Sequence, residues 1–191
     1  MDVTPGILSD LDDALALVGS LSGVGERSAQ IDSIERLRAL QAACGAALAR
    51  ASAVFAVDRV AESQASHQSV EKQQRSTTCE LALAHRCSPA SMSRRLSAYR
   101  RLVHDLPGVL RVLASGATSE YTALSVAKAA HSLTADDAAR LDREISSQLA
   151  GLTTRQAEGR TVRFCQQADP ETAVRRLQKS EREAHVSCRP V

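Results

Sequence analysis

Two pairs of adjacent arginines stand in the stretch "CSPASMSRRLSAYRRL", which runs from Cys87 to Leu102. Guanidinium groups keep their charge and donate hydrogen bonds in a fork that matches phosphate oxygens and the major-groove edge of guanine. Residues 85–111 hold six arginines and a single acid, Asp105, although the whole chain of 191 residues has a formal net charge of only +2. Such a local excess is typical of a surface that binds a polyanion, and it also occurs on ordinary solvated helix faces.

The histidines and cysteines do not form a catalytic or metal-binding pattern. The five cysteines are scattered without a C-x-x-C pair, and His67 has no second ligand at metal spacing. The sequence contains no G-x-S-x-G, P-loop or H-E-x-x-H motif. We therefore predict no catalytic residues, no metal site and no cofactor. We also expect no small-molecule substrate, and a chain that is not an enzyme.

The composition predicts the kind of element that positions the arginines. Alanine and leucine, which favour helices, dominate the apolar residues, whereas only 2% of the chain is aromatic. The acidic N-terminus is unlike a secretory signal, and no long uncharged span predicts a membrane helix. We expect an all-α, multi-helical bundle in the cytoplasm, with one long N-terminal helix, a helix-turn-helix-like segment and a short β-like C-terminal tail.

Capping residues divide the chain into helices. Thr77 with Glu80, and Thr153 with Gln156, have the spacing of a capping box, and Ser88 precedes a proline at a first helical position. We predict three regions: an N-terminal helix and linker over 1–26, a long amphipathic helix and polar segment over 27–76, and a helical domain over 77–191. The predicted helices span 7–21, 28 to the mid-sixties, 78–86, 88–105, 107–115, 119–132, 134–150, 153–167 and 170–184.

The arginine-rich stretch has the pattern of a helix-turn-helix. Ala82 is expected to pack closely between the two helices, and Met92 and Leu96 are expected to face inward. Arg86 replaces the usual turn glycine, so the chain would need either a costly left-handed conformation at this residue or a different turn. The alternative is a plain helical hairpin inside a bundle. The residues that we expect to face DNA are Arg86, Ser88, Ala90, Ser93, Arg94, Ser97, Arg100 and Arg101, with Pro89 beside them.

The long helix carries apolar residues at a spacing of seven. One column holds Leu37, Cys44 and Ala51, and a neighbouring column holds Leu40, Ala47 and Val54. A third column adds Ile34, Leu48 and Phe55. A stripe this wide requires burial, either in the core of the domain or in a homodimer seam. We expect Leu37, Leu40, Ala47, Leu48, Val54 and Phe55 to be buried.

The span from about Thr78 to Pro190 resembles the 13E12 repeat family, the domain of unknown function 222. The matching pieces are "ELALAHRCSPASMSRRLSAYRRLVHDLPGVLRVLASGATSE", "HSLTADDAARLDREI", "LAGLTTRQ" and "DPETAVRRLQKSEREAHVSCRP". Members of that family commonly continue into an HNH endonuclease module. The resemblance implies a DNA-associated, mobile-element setting and a chain truncated before that module, so that no residue here inherits a nuclease role.

Two functions from different classes follow from these observations. The first is a DNA-binding helical module associated with an HNH endonuclease, with double-stranded DNA as its partner. The second is a non-catalytic interaction or dimerisation domain, or a degenerate fragment, with no nucleic-acid role. The arginines of residues 85–111 discriminate between them. A shared exposed face favours DNA binding, whereas ion pairs with acids of the N-terminal region or of residues 134–144 favour the interaction domain.

Overall fold

A computed structural model of the chain describes residues 5–21, 26–66 and 69–170. Every regular element within these residues is helical, which confirms the all-α, multi-helical prediction. The β-like tail and all but the first residue of the helix expected over 170–184 lie outside the described residues.

The described helices follow the predicted order closely. A short 3-10 helix, Leu149–Gly151, separates the last two α-helices. The α-helices are α1 Pro5–Gly19, α2 Arg27–Ser66, α3 Val70–Ala84, α4 Pro89–His104, α5 Pro107–Ala114, α6 Glu120–Ala129, α7 Ala135–Ser146 and α8 Thr154–Ala168.

Three predicted helix starts are confirmed by their hydrogen bonds. The Ser88 hydroxyl accepts from the Ser91 amide at 3.2 Å, and Pro89 occupies the first turn of α4. The Thr134 hydroxyl accepts from the Asp137 amide at 3.2 Å. Thr153 and Gln156 complete the predicted capping box at α8. Each side chain satisfies a backbone N–H that has no partner within its own helix.

The predicted capping box of Thr77 and Glu80 is wrong. Helix α3 begins two turns earlier, where the Ser69 hydroxyl accepts from the Lys72 amide, and Thr77 lies buried within the helix. The run "VEKQQ" consists largely of good helix formers, so the helix extends back to Ser69. Glu80 instead pairs with Arg59 of α2 at 2.8 Å.

The chain divides into two compact units, Met1–Leu37 and Arg38–Val191. In the first unit, the described part of α1 leaves its apolar residues exposed, among them Leu8, Leu11 and Leu15. In the second unit, α4 packs against α3, α5 and α6, and α8 packs against α6 and α7. Its core is centred on fully buried side chains of these helices, including Met92, Tyr99, Leu102, Leu113 and Leu141.

The expected burial of the α2 stripe is wrong. Leu40 remains 45% exposed, Leu48 47% and Val54 49%, and Leu37 and Ala47 are also exposed. Phe55 is the one member of the expected set that is partly buried. The face that packs on the bundle holds small residues instead, namely Ala42, Gly45, Ala46, Ala49, Ser52, Ala53 and Ala56.

Small side chains explain this choice of face. A Cβ on Gly116 would lie 2.5 Å from the Ala39 Cβ, and a Cβ on Gly45 would lie 3.1 Å from the Glu120 Cβ. The segment that joins α5 to α6 therefore approaches the backbone of α2 closely. A leucine on that face would keep the two backbones apart, because protein interiors are packed too densely to absorb the extra volume.

Candidate nucleic-acid interface

The orientation of α4 follows from its four large inner residues. Met92, Tyr99 and Leu102 are fully buried, and Leu96 is only 5% exposed. At 100° per residue these positions fix one side of the helix against the core. The predicted inward positions, Met92 and Leu96, are therefore confirmed, and the outward positions follow from them.

The outer face of α4 carries small residues between long basic ones. Arg94 and Arg100 are exposed, and so is His104 at the end of the helix. The small residues of the outer face are Ser88, Pro89, Ala90, Ser93 and Ser97, all of them exposed. Because α4 contains no acidic residue, nothing along the helix itself neutralises this face.

The exposed arginines do not pair with the acids that would have argued against DNA binding. Within the described residues, Arg86, Arg94 and Arg100 take part in no ion pair. Arg95 lies 3.8 Å from Glu120, and Arg101 lies 3.4 Å from Asp105. Neither acid belongs to the N-terminal region or to residues 134–144.

Arg101 differs from the other predicted contact residues. Its guanidinium donates a hydrogen bond to the Leu133 carbonyl at 2.8 Å, and its side chain is only 18% exposed. It therefore holds α4 to the segment that follows α6. Because this guanidinium is already bound to protein groups, Arg101 has fewer donors left for a phosphate than Arg94 or Arg100.

The connection between α3 and α4 is a four-residue turn, His85 to Ser88. Arg86 has a φ of 50°, so of the two expected outcomes the chain adopts the left-handed conformation. The Cys87 amide donates to the Ala82 carbonyl at 2.9 Å, and the Arg86 amide donates to the Leu83 carbonyl at 3.1 Å. These two bonds form a Schellman motif, which ends α3 and directs the chain into α4.

A polar cluster behind α4 fixes that helix on the bundle. The Tyr99 hydroxyl donates to the Glu120 carboxylate at 2.7 Å, and the His85 Nε2 lies 2.9 Å from the Ser52 hydroxyl of α2. Burial and the hydrogen bond to Glu120 raise the pKa of Tyr99 well above its ordinary value. Burial and the nearby Arg95 lower the pKa of His85, against a smaller opposing effect of Glu120. His85 is therefore neutral near pH 7.

Two basic residues beside α4 were missed in the sequence. Lys128, in the last turn of α6, and His131, just after that helix, are exposed and line the same open groove as Arg94, Arg100 and His104. The groove has a volume of about 1480 Å³. No short-range pattern connects residues so far apart in the chain, and only the packing of α6 on α4 brings them to one surface.

Within the described residues, no group of three or more His, Cys, Asp or Glu side chains could hold a metal ion. Over the same residues, the segment Arg27–Glu62 of α2 is long and apolar enough to cross a membrane by length and composition alone. Core helices pass the same test, and one face of this helix packs on the bundle.

Scans against protein-family models, curated proteins and solved structures find no match to this chain. The resemblance to the 13E12 repeat family and the link to an HNH endonuclease therefore stay predictions. The class that the fold defines is an all-α bundle in which a four-residue turn joins α3 to α4, and α4 exposes a basic face.

Proposed function

We propose that this chain is a helical module that binds double-stranded DNA through the outer face of α4, without nuclease residues of its own. The observation that carries the proposal is the composition of the outer face of α4. Arg94 and Arg100 stand exposed and unpaired with any described acid, with only Ala90, Ser93 and Ser97 between and beside them. Small side chains along a helix allow its backbone to approach the floor of a major groove.

The position along α4 determines the role of each residue in this proposal. Residues near the N-terminus of a recognition helix reach base edges. The residues that would face the major groove of DNA are therefore Ser88, Ala90, Ser93, Arg94 and Ser97. Arg100 lies farther along and would bind a backbone phosphate, and Arg86 would do the same from the turn. Arg101 would contribute mainly by holding α4 in place.

Lys128 and His131 extend the proposed contact beyond α4. Both residues line the α6 side of the protein groove described above. If α4 entered the major groove of DNA, the second strand of the duplex would run along that side. Phosphate contacts on both sides of a recognition helix fix its register without reading sequence. A setting beside an HNH endonuclease, as the family resemblance implies, would use such a module to hold the duplex.

The alternative function is a non-catalytic interaction domain with no nucleic-acid role. The exposed apolar face of α2 favours that alternative, because monomeric proteins rarely leave a long apolar surface open. The two functions use different faces of the second unit, and each can be tested without the other.

The direct test is a titration of the full chain against a short fluorescein-labelled duplex of mixed sequence, at low salt, followed by anisotropy. We expect saturable binding that weakens as salt rises, because phosphate contacts release counterions. Arg94→Ala should cost roughly 1–3 kcal/mol of binding free energy if that side chain reaches a base edge. Arg100→Ala should weaken binding about equally for all sequences.

Arg143→Ala is the matched control. Arg143 is an exposed arginine of α7 that lines none of the groove, so its loss removes the same charge from another surface. Equal loss of affinity in Arg100→Ala and Arg143→Ala would mean that only net charge matters. An absence of duplex binding by the parent chain at low salt would replace this proposal with the interaction domain.

A further inference from the structure

The exposed apolar face of α2 has the register of a helix–helix seam. Within the second unit, the exposed residues Leu40, Ala47 and Val54 form one column at a spacing of seven, and Cys44 and Ala51 form the next. Columns offset by three or four residues at this period are the a and d positions of a coiled coil. A second helix is the partner that such a spacing fits.

The seam lies on the side of α2 opposite the bundle. At 100° per residue, the mean direction of Ala46, Ala49 and Ala53 lies about 150° from that of Ala47 and Ala51. The first set is buried at 0%, 0% and 1% exposure, whereas the second set is exposed. Helix α2 can therefore take a partner along this face while its small-residue face keeps its contacts with the bundle.

The chemistry of the face argues against a lipid surface. Between Ala39 and Val57 the helix has one charged residue, Arg50. An interfacial membrane helix needs a basic polar face opposite its apolar one, and here the opposite face packs on protein. The alternation of small residues with Leu40 and Val54 along the two columns instead provides holes and knobs for a second α2 helix.

We propose that two copies of this chain associate through the exposed α2 columns, Leu40, Cys44, Ala47, Ala51 and Val54. The same helix supplies both halves of the seam, so the interface is self-complementary, as closed two-fold dimers require. The columns run from Leu40 to Val54 and cover about 15 residues of helix, or about 22 Å. An interface of that length is at the small end of stable contacts, so dissociation in the micromolar range is expected.

Sedimentation velocity of the full chain over a wide concentration range tests this proposal, in high-salt buffer that suppresses contact with nucleic acid. The parent should pass from monomer to dimer as concentration rises. Val54→Lys should weaken the dimer at least tenfold, because a lysine ammonium would enter an apolar seam. Val54 is half exposed within one chain, so circular dichroism should show the fold of this variant unchanged.

Val162→Lys is the matched control, since Val162 of α8 is also exposed, at 40%, and lies away from α2. It should dimerise like the parent. A parent chain that stays monomeric at every concentration would overturn the proposal, whether or not it binds phosphatidylglycerol vesicles in a flotation assay. A dimer that Val54→Lys and Val162→Lys affect equally would overturn it as well.

Discussion

At the scale of single residues, the turn before α4 shows what a sequence can and cannot reveal. The sequence singled out Arg86 as a residue that needs either a left-handed backbone or a different turn, and the structure has the left-handed backbone, with a φ of 50°. The contact between Ser52 and His85, which belongs to the polar cluster behind α4, could not be predicted from the sequence. It joins residues 33 positions apart, and neither lies in a recognisable motif.

Replacing Arg86 with glycine should stabilise the fold. A non-glycine residue in the left-handed region costs roughly 1–2 kcal/mol, and the greater freedom of glycine in the unfolded chain offsets part of that gain. We expect Arg86→Gly to raise the free energy of unfolding by up to about 1 kcal/mol, measured by urea denaturation. Arg86→Ala keeps the strained conformation and removes the same charge. Equal stability of the two variants would show that strain at this residue is not relieved.

His85 should make the fold less stable in mild acid. Its pKa is lowered in the folded chain, so below about 6.5 the unfolded chain binds a proton that the folded chain does not. The free energy of unfolding should therefore be unaffected by His85 above that pH and should fall as pH drops toward the folded pKa. His85→Gln should lose less stability than the parent between about pH 7.5 and 5.5 in urea denaturation.

His104→Gln is the control for this pH dependence, because His104 is exposed on the outer face of α4. It should follow the parent. A parent chain and a His85→Gln variant with the same loss of stability on acidification would contradict the role given to the partly buried His85 imidazole.

At the scale of elements, the positions of most helices could be predicted from the sequence. The face of α2 that packs on the bundle could not. Ser88, Thr134 and Thr153 mark helix starts through local hydrogen bonds, which depend only on neighbouring residues. Helix α2 is apolar on two sides, with alanines on one and larger residues on the other. The periodicity of the sequence detects both apolar sides of α2. Which side packs on the bundle depends on how closely the segment between α5 and α6 approaches α2, and that approach is a tertiary property.

Asp142 illustrates a cap that comes from another element. Helix α5 has no capping side chain of its own, and the Asp142 carboxylate of α7 accepts from the buried Gly108 and Val109 amides at 2.7 and 2.8 Å. Asp142→Ala would leave both amides without a partner, at a cost of about 2–4 kcal/mol. Asp142→Asn keeps one acceptor oxygen and should cost less in urea denaturation. Two variants of equal stability would show that these bonds contribute little.

At the scale of the whole molecule, the four arginines of α4 divide into two groups in the fold. Arg95 and Arg101 are partly buried, and they hold α4 on the bundle through Glu120 and the Leu133 carbonyl. Arg94 and Arg100 stay exposed, with Lys128 and His131 beside the same groove. The sequence predicted the segment and the outward positions, while the contribution of α6 required the packing. Duplex binding should therefore depend on a surface that two helices share.

The salt dependence of duplex binding tests this account most directly. Each phosphate contact lowers the logarithm of the binding constant by about 0.9 per logarithmic unit of salt. Arg100→Ala should therefore flatten the slope of the parent by about 1, and Lys128→Ala should do the same if α6 contributes to the surface. Arg143→Ala should leave the slope unchanged. A parent chain that fails to bind duplex at low salt, or the same slope in all four proteins, would contradict the account.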